Sequence, residues 1–272
     1  MAAPVRAFPS ARLALLAWLG GAAALAGRAA LGHPPAPWAA AALAFAIVGT
    51  VTLGIFFAQL GLFARPIVAA DRAAAGDRLA LTFDDGPEPG STDEILALLA
   101  ARGHRATFFV IGRRAEAAKA LLGRIAAGGH GLANHSFAHR HDTPFAAPAA
   151  LADELGRAEA LLDEVRPTGA ARGRWFRAPV GIISPRVAAA AARAGMDLVS
   201  WTASARDGTR RTTVEAALGR LRPHLRPGAI LVLHDGAERG DRAPIAPAVL
   251  ARLLDELDAR KLRSVTLDEL LD

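Results

Sequence analysis

Two carboxylates stand side by side in LALTFDDGPEPG, where Asp84 and Asp85 follow an apolar run and precede a Gly-Pro pair. Asp, Gly and Pro all form turns. Repulsion between adjacent acids raises the cost of ionising both, however, so such a pair faces water or shares a cation. A second polar segment, GHGLANHSFAHRH, carries His135 and His139 four residues apart, on one face if the stretch is helical. Two imidazoles and one carboxylate hold zinc, iron or cobalt while leaving positions open for water and substrate, whereas a purely structural zinc takes four protein ligands. One ion needs only one of the two aspartates. We take Asp85 as the ligand and Asp84 as the base that removes a proton from water at the ion, because consecutive residues leaving a strand point in different directions. Spacing alone leaves the reverse assignment open. His130 and His141 fall off this spacing and are read as structural or solvent-exposed.

Three further groups fit the same chemistry. Arg177, in WFRAPVG, follows an apolar strand and offers a guanidinium to keep the base carboxylate ionised and oriented. His234 closes the apolar run of GAILVLHDG, a position suited to a general acid for a leaving group. Asp207, in MDLVSWTASARDG, would orient His234 and favour its imidazolium, the state that protonates an amine.

Elements must bring these residues together. The pattern predicts strands at Arg78–Phe83, Ala106–Ile111, Trp175–Phe176, Asp197–Trp201, Ala229–Leu233 and Ser264–Thr266. Helices are predicted at 115–127, 149–165, 186–194, 212–222, 247–260 and 267–271. Another opens on Ser91-Thr92-Asp93-Glu94, read as a capping box, and carries Ile95, Leu96, Leu98 and Leu99. Repeated β-then-α order implies a largely parallel sheet covered by helices, open or closed into a barrel. Either form gathers the C-terminal strand ends on one face.

Composition separates an appendage from this α/β part. No Asp or Glu precedes residue 70, and the net charge of +6 is spread thinly, almost all of it as arginine. Lys119 and Lys261 are the only lysines, and no basic blocks interleave with aromatics, so nucleic acid is not an expected partner. The chain has no cysteine, which excludes disulfides and thiolate ligands. Leu13–Leu31 reaches across a bilayer only if Arg28 snorkels, whereas Trp38–Ala64 holds no charge at all. His33-Pro34-Pro35-Ala36-Pro37 breaks any helix between them. We therefore expect a membrane region over 1–66 with spans at 13–31 and 38–64, a linker over 67–74 and a catalytic domain over 75–272. The expected location is a bacterial inner membrane, crossed twice. Arg6 and Arg12 favour a cytoplasmic N-terminus; two spans then put the catalytic domain in the cytoplasm and one span puts it outside.

The motifs together resemble the polysaccharide deacetylase family, carbohydrate esterases that share the nodulation-type chitooligosaccharide deacetylase domain. The resemblance covers roughly 75–270, with five motifs in order: Thr82–Pro87, His135 with His139, Arg177-Pro179-Gly181, Trp201 with Asp207, and Leu231-Leu233-His234. It implies a distorted (β/α) barrel of about seven strands and one divalent ion, zinc by preference, with cobalt, nickel, manganese or iron as alternatives. It implies Asp84 as base, Asp85, His135 and His139 as ligands, and substrate contacts from Pro179, Val180, Gly181, Trp201, Leu231 and Leu233. The implied reaction removes an N-acetyl group from an amino sugar in a polysaccharide, oligosaccharide or glycan precursor. A cytoplasm-facing deacylase or deformylase of a lipid-linked amino sugar is the enzyme alternative, and a silent carbohydrate-binding domain is disfavoured by the joint presence of base, ligands and acid. Two departures stand out: Val180 replaces a tyrosine whose backbone N–H lies in the family's oxyanion hole, and Gly208 replaces a tryptophan that walls the acetyl pocket.

Overall fold

In the computed structural model, which describes residues 4–6, 10–34, 36–56, 62–166, 173–209, 211–236 and 243–272, the charge-poor N-terminal region folds as a helical hairpin clasped at its open end. Strand β1 (Pro4–Arg6) leads into α1 (Ser10–Ala30). The chain then turns back through α2 (Pro37–Phe56), which packs along α1, and β2 (Ile67–Ala70) pairs antiparallel with β1. Among the described residues only α2, over Pro37–Gly54, is long and apolar enough to cross a membrane, and it is almost wholly exposed. The expectation of two such helices is thus corrected to one. Arg28, in the last turn of α1, and a run of Gly and Ala make that helix less apolar. The expected end of the second span at Ala64 also shifts, because residues 57–61 lie outside the described residues and 62–66 are not helical.

Residues 67–74 are not a linker. Ile67 is buried in the core, and β2 is followed directly by α3 (Arg72–Ala75), whose N-cap Asp71 accepts from the N–H groups of Ala73 and Ala74. The chain then runs β3 (Arg78–Asp84), α4 (Ser91–Ala101), β4 (Ala106–Val110), α5 (Gly112–Ala117), α6 (Lys119–Ala127) and β5 (Gly131–Asn134). It continues with α7 (Pro148–Asp163), β6 (Trp175–Phe176), α8 (Pro185–Arg193), β7 (Asp197–Leu198), β8 (Ala203–Ser204), α9 (Val214–Leu221), β9 (Ile230–His234), α10 (Ala246–Ala259), β10 (Arg263–Ser264) and α11 (Leu267–Leu271). The N-cap of α4 is Gly90 rather than Ser91: the Asp93 carboxylate accepts from the Gly90 N–H, one residue earlier than the expected box.

Seven strands form one parallel sheet in the order β7-β6-β5-β4-β3-β9-β8, with β10 added at the start of β3. The two edge strands, β7 and β8, are consecutive in the chain with only residues 199–202 between them. A flat sheet would hold these edges roughly 29 Å apart, six spacings of about 4.8 Å, whereas a five-step tether reaches at most about 18 Å. The sheet must therefore curl until its edges approach. The result is an open, curled sheet rather than a closed barrel. Strand β2 sits in the seam, with Ile67 bridging to Val199 and Ala69 to Ala229. Alternation along β3 and β9 sends Leu79, Leu81, Phe83, Leu231 and Leu233 outward into a core shared with α4, α9 and α10, while Ala80 and Ile230 pack within the curl with Ile67, Phe109 and Val199.

Candidate active site

All the strands of the curled sheet run the same way, so the residues that end them meet at one rim. Asp84 ends β3 and His234 ends β9, and the two are direct register partners. A carboxylate and an imidazole are thereby fixed side by side by backbone pairing alone. Arg177 leaves β6 and turns its side chain inward, where it is 1% exposed. Its Nη1 donates to Asp84 Oδ1 at 2.6 Å and to Thr82 Oγ1 at 2.9 Å, and its Nη2 donates to the Ser200 carbonyl at 3.0 Å. The guanidinium also lies 3.9 Å above the Phe109 ring. These contacts keep the Asp84 carboxylate in one orientation.

The expected ligands converge. One donor atom from each of Asp85, His135 and His139 lies within 4.8 Å of the others. The stretch that carries the histidines is a strand and a turn, not a helix. Residues Gly131–Asn134 pair with β4, and Ser136 (φ 66°) and His139 (φ 49°) then adopt left-handed backbone that ends any regular element. Asn134 shapes this turn, its Oδ1 accepting from the Ser136 N–H and its Nδ2 donating to the Leu155 carbonyl. His135 donates from Nδ1 to the Arg177 carbonyl at 2.8 Å, which leaves its Nε2 lone pair facing Asp85. Asp85 Oδ1 is buried, lies 3.4 Å from His135 Nε2 and 3.1 Å from His139 Nε2, and accepts no hydrogen bond. A buried carboxylate oxygen without a donor, aimed at two imidazole nitrogens, is a donor set that fits a divalent cation. Burial raises the Asp85 carboxyl, but the His135, His234 and His139 imidazoles outweigh it and hold Asp85 below the usual carboxylate range. Burial and the neighbouring His135 push His139 down to about 4.

His234 is gripped from two sides by one carboxylate. Asp207 Oδ1 accepts from its Nδ1 at 2.8 Å and Asp207 Oδ2 from its backbone N–H at 2.9 Å, leaving Nε2 free. Burial alone would lower His234; the charge and hydrogen bond of Asp207, with Asp84 and Asp85 behind, push it up to about 10.

These groups open onto a cleft of about 220 Å³ whose walls include Asp84, Asp85, His135, His139 and His234, with Val180, Gly181 and Trp201 on one side. Pro179 is buried at the start of the short turn Pro179–Gly181. Val180 is held at φ 52°, and its N–H makes no hydrogen bond within the protein among the described residues. Gly181 at φ 70° admits the Trp201 indole, which a Cβ would meet at 2.4 Å. Leu231 and Leu233 are not in the cleft: both are fully buried on the opposite face of β9, and Val232, one residue out of phase, lines the cleft instead. Of the remaining histidines, His130 is buried and accepts from the Ala106 N–H, and His141 lies edge-on to His139 with ring centroids 6.1 Å apart.

Several contributors escaped the sequence reading. Thr82 and Asp235 lie inside motifs already quoted; Thr82 anchors Arg177, and Asp235 packs against Gly86 and accepts from Thr92 Oγ1, which in turn accepts from the Glu88 N–H. Burial pushes the Asp235 carboxyl up to about 7. Arg206 precedes Asp207 and also lines the cleft.

Comparison with known proteins agrees with this geometry. The polysaccharide deacetylase family pattern matches residues 71–199. The chain is 38% identical over 161 residues to a chitooligosaccharide deacetylase of Bradyrhizobium sp. (strain ANU 289), covering 59% of this chain and 72% of that protein. It is 33% identical over 201 residues to a peptidoglycan-N-acetylglucosamine deacetylase of Bacillus cereus, covering 71% and 87%. Among solved structures, a family 4 carbohydrate esterase from Streptomyces lividans in complex with acetate superposes with a TM-score of 0.59 at 27% identity, over 70% of this chain and 92% of that one. A family 4 pseudoenzyme from Bacillus anthracis has the same fold, with a TM-score of 0.65 at 22% identity over 76% and 69%. With these carboxylates and imidazoles gathered on one rim and this degree of likeness, the chain belongs to the polysaccharide deacetylase family.

Proposed function

We propose that the protein hydrolyses the N-acetyl amide of an amino sugar in a polysaccharide, oligosaccharide or glycan precursor, with Asp84 as base and His234 as acid. The observation that carries this reading is the register pairing of Asp84 with His234 beside the Asp85, His135 and His139 donor set. Asp85, His135 and His139 would hold a divalent cation, zinc by preference, which would supply Lewis acidity toward water and the amide carbonyl. Asp84, oriented by Arg177, takes the proton from the attacking water. The free Val180 N–H donates to the developing oxyanion, a backbone role indifferent to the loss of tyrosine. His234 gives its Nε2 proton to the sugar nitrogen as the C–N bond breaks, releasing a free amine and acetate.

The test is metal content and kcat/KM of the purified chain on a short N-acetylglucosamine oligomer. Asp84→Asn is expected to keep its metal and lose about 10²- to 10⁴-fold in kcat/KM, as for a removed general base. Asp85→Asn is expected to lose metal, with partial recovery in excess zinc. An Asp84→Asn enzyme within threefold of the parent would overturn the assignment of the base.

One observation favours a membrane-borne substrate. Strands β1 and β2 tie together the two outer ends of the α1–α2 hairpin. If α2 enters the bilayer, α1 packed along it enters too, and the N-terminus stays on the side of the catalytic domain. Arg6, Arg12, Arg65, Arg72 and Arg78 flank that end, against Arg28 and His33 at the far end. The positive-inside rule places the richer end in the cytoplasm, which suits deacylation or deformylation of a lipid-linked amino sugar.

A further inference from the structure

One cation in the cleft wall takes no part in the reaction above. Arg177 spends its two Nη groups on Thr82, Asp84 and Ser200. Arg206 lines the same cleft, is exposed, and its guanidinium makes no ion pair or hydrogen bond among the described residues. Its backbone is nevertheless fixed in an unusual state. At φ 54° it lies in the left-handed region that a residue with a Cβ seldom occupies. Four contacts hold it there: its N–H donates to Ser204 Oγ at 3.1 Å, and its carbonyl accepts from Thr212 Oγ1 at 2.6 Å, Thr209 Oγ1 at 3.1 Å and the Thr209 N–H at 3.4 Å. Backbone strain maintained by surrounding hydrogen bonds concentrates where a side chain has to be aimed.

The neighbouring surface is open to what that side chain would bind. Gly208 presents no side chain, and a Cβ there would only just touch the His234 ring, at 3.4 Å. The cleft wall between Arg206 and His234 therefore carries no side chain at Gly208. The acids of the site are already matched, Asp84 with Arg177 and Asp207 with His234, while Asp85 faces two imidazoles. Arg206 thus leaves the mouth of the cleft with an unmatched positive charge.

We propose that Arg206 is a specificity-determining residue that binds an oxyanion, carboxylate or phosphate, carried on or next to the reacting amino sugar, so that the preferred substrate is an acidic N-acyl amino sugar rather than a neutral oligomer. This rests on the deacetylase reading for the reaction, but the binding itself can be measured without turnover. Guanidinium is the side chain best matched to either oxyanion, through two parallel N–H donors.

The experiment is calorimetric titration of the whole 272-residue chain, metal-loaded and in detergent, with three amino sugars that carry no amide to hydrolyse: methyl glucosaminide, glucosamine 1-phosphate and muramic acid. Inorganic phosphate alone is the fourth probe. The parent is expected to bind at least one acidic sugar about tenfold or more tighter than methyl glucosaminide, the worth of one charge-assisted pair. In Arg206→Gln that ratio is expected to fall to within about twofold, and in Arg206→Lys to be intermediate, because the charge remains and the fork is lost. Preference for the phosphate probe points to a phosphate-linked carrier sugar, and preference for muramic acid to a carboxylated glycan. Equal binding of neutral and acidic sugars by the parent, a ratio unchanged in Arg206→Gln, or inorganic phosphate binding as tightly as the sugar phosphate would each overturn the proposal. An Arg206-dependent preference in a protein that deacylates nothing would instead sink the reaction and leave the subsite standing.

Discussion

His234 owes its acid form to contacts that a change of pH can remove. Asp207 holds both its ring and its backbone N–H, and the folded-state value of about 10 exceeds the 6.5 of a free imidazole. A group raised in this way binds its proton more tightly when folded. Its stabilisation is complete below about pH 6.5 and is lost as the pH rises through about 10. In chelator-treated protein, the Tm of His234→Gln should therefore trail the parent by a few degrees at pH 6 and converge with it by pH 10. Parallel Tm curves across that range would show that the Asp207 contact does not hold the proton. Under the proposed mechanism the same contact bears on catalysis, since a residue that protonates a leaving amine must begin as imidazolium.

At the scale of elements, the seam strand is the least expected feature and the easiest to test. Ile67 lies where a linker was expected, yet it is 1% exposed and its carbonyl accepts from the Ser200 N–H. The Thr202 hydroxyl donates to the Val68 carbonyl in the same seam. Ile67→Ala should cost about 2–5 kcal/mol, the range for truncating a buried aliphatic side chain, measurable by denaturant unfolding of the full chain. A loss below about 0.5 kcal/mol, typical of an exposed linker position, would show that β2 does not close the seam. Because residues 199–202 also carry Ser200 and Trp201, which meet Arg177 and Gly181, loosening the seam should raise KM as well as lower stability.

At the scale of the whole molecule, the β1–β2 clasp makes topology a single measurable choice. A helix of 20 residues is about 30 Å long, matched to a hydrocarbon core. If the hairpin inserts from the cytoplasmic side as proposed, a reporter fused after Leu271 should be active in the cytoplasm only. Activity only on the outer side would reject the same-side arrangement and favour cell-wall or exopolysaccharide substrates. The outward faces of the hairpin, including Trp38, Phe45 and Val48, are exposed and apolar, which accords with lipid contact.

What the sequence determined by itself was local chemistry and the order of elements. Asp84 and Asp85 at a strand end, two histidines at short spacing, Arg177 after an apolar pair and His234 at the close of GAILVLHDG were all legible, because residue type and strand period are short-range properties. Most helices were legible for the same reason. Strand β5 was not: GLAN is short and made of small or polar residues, and only pairing with β4 makes it a strand that delivers His135 to Asp85. The inward or outward sense of β9 was also hidden. Leu231 and Leu233 look like part of a motif until the sheet shows which face receives helices, and alternation then gives Val232 and His234 to the cleft. Register decided that Asp84 and His234 are neighbours, 150 residues apart in the chain. The curl of the sheet, the seam filled by Ile67 and the aim of Arg206 all depend on contacts between distant segments. Such contacts exist only once the apolar faces have been buried against one another, which is why tertiary structure alone could decide them.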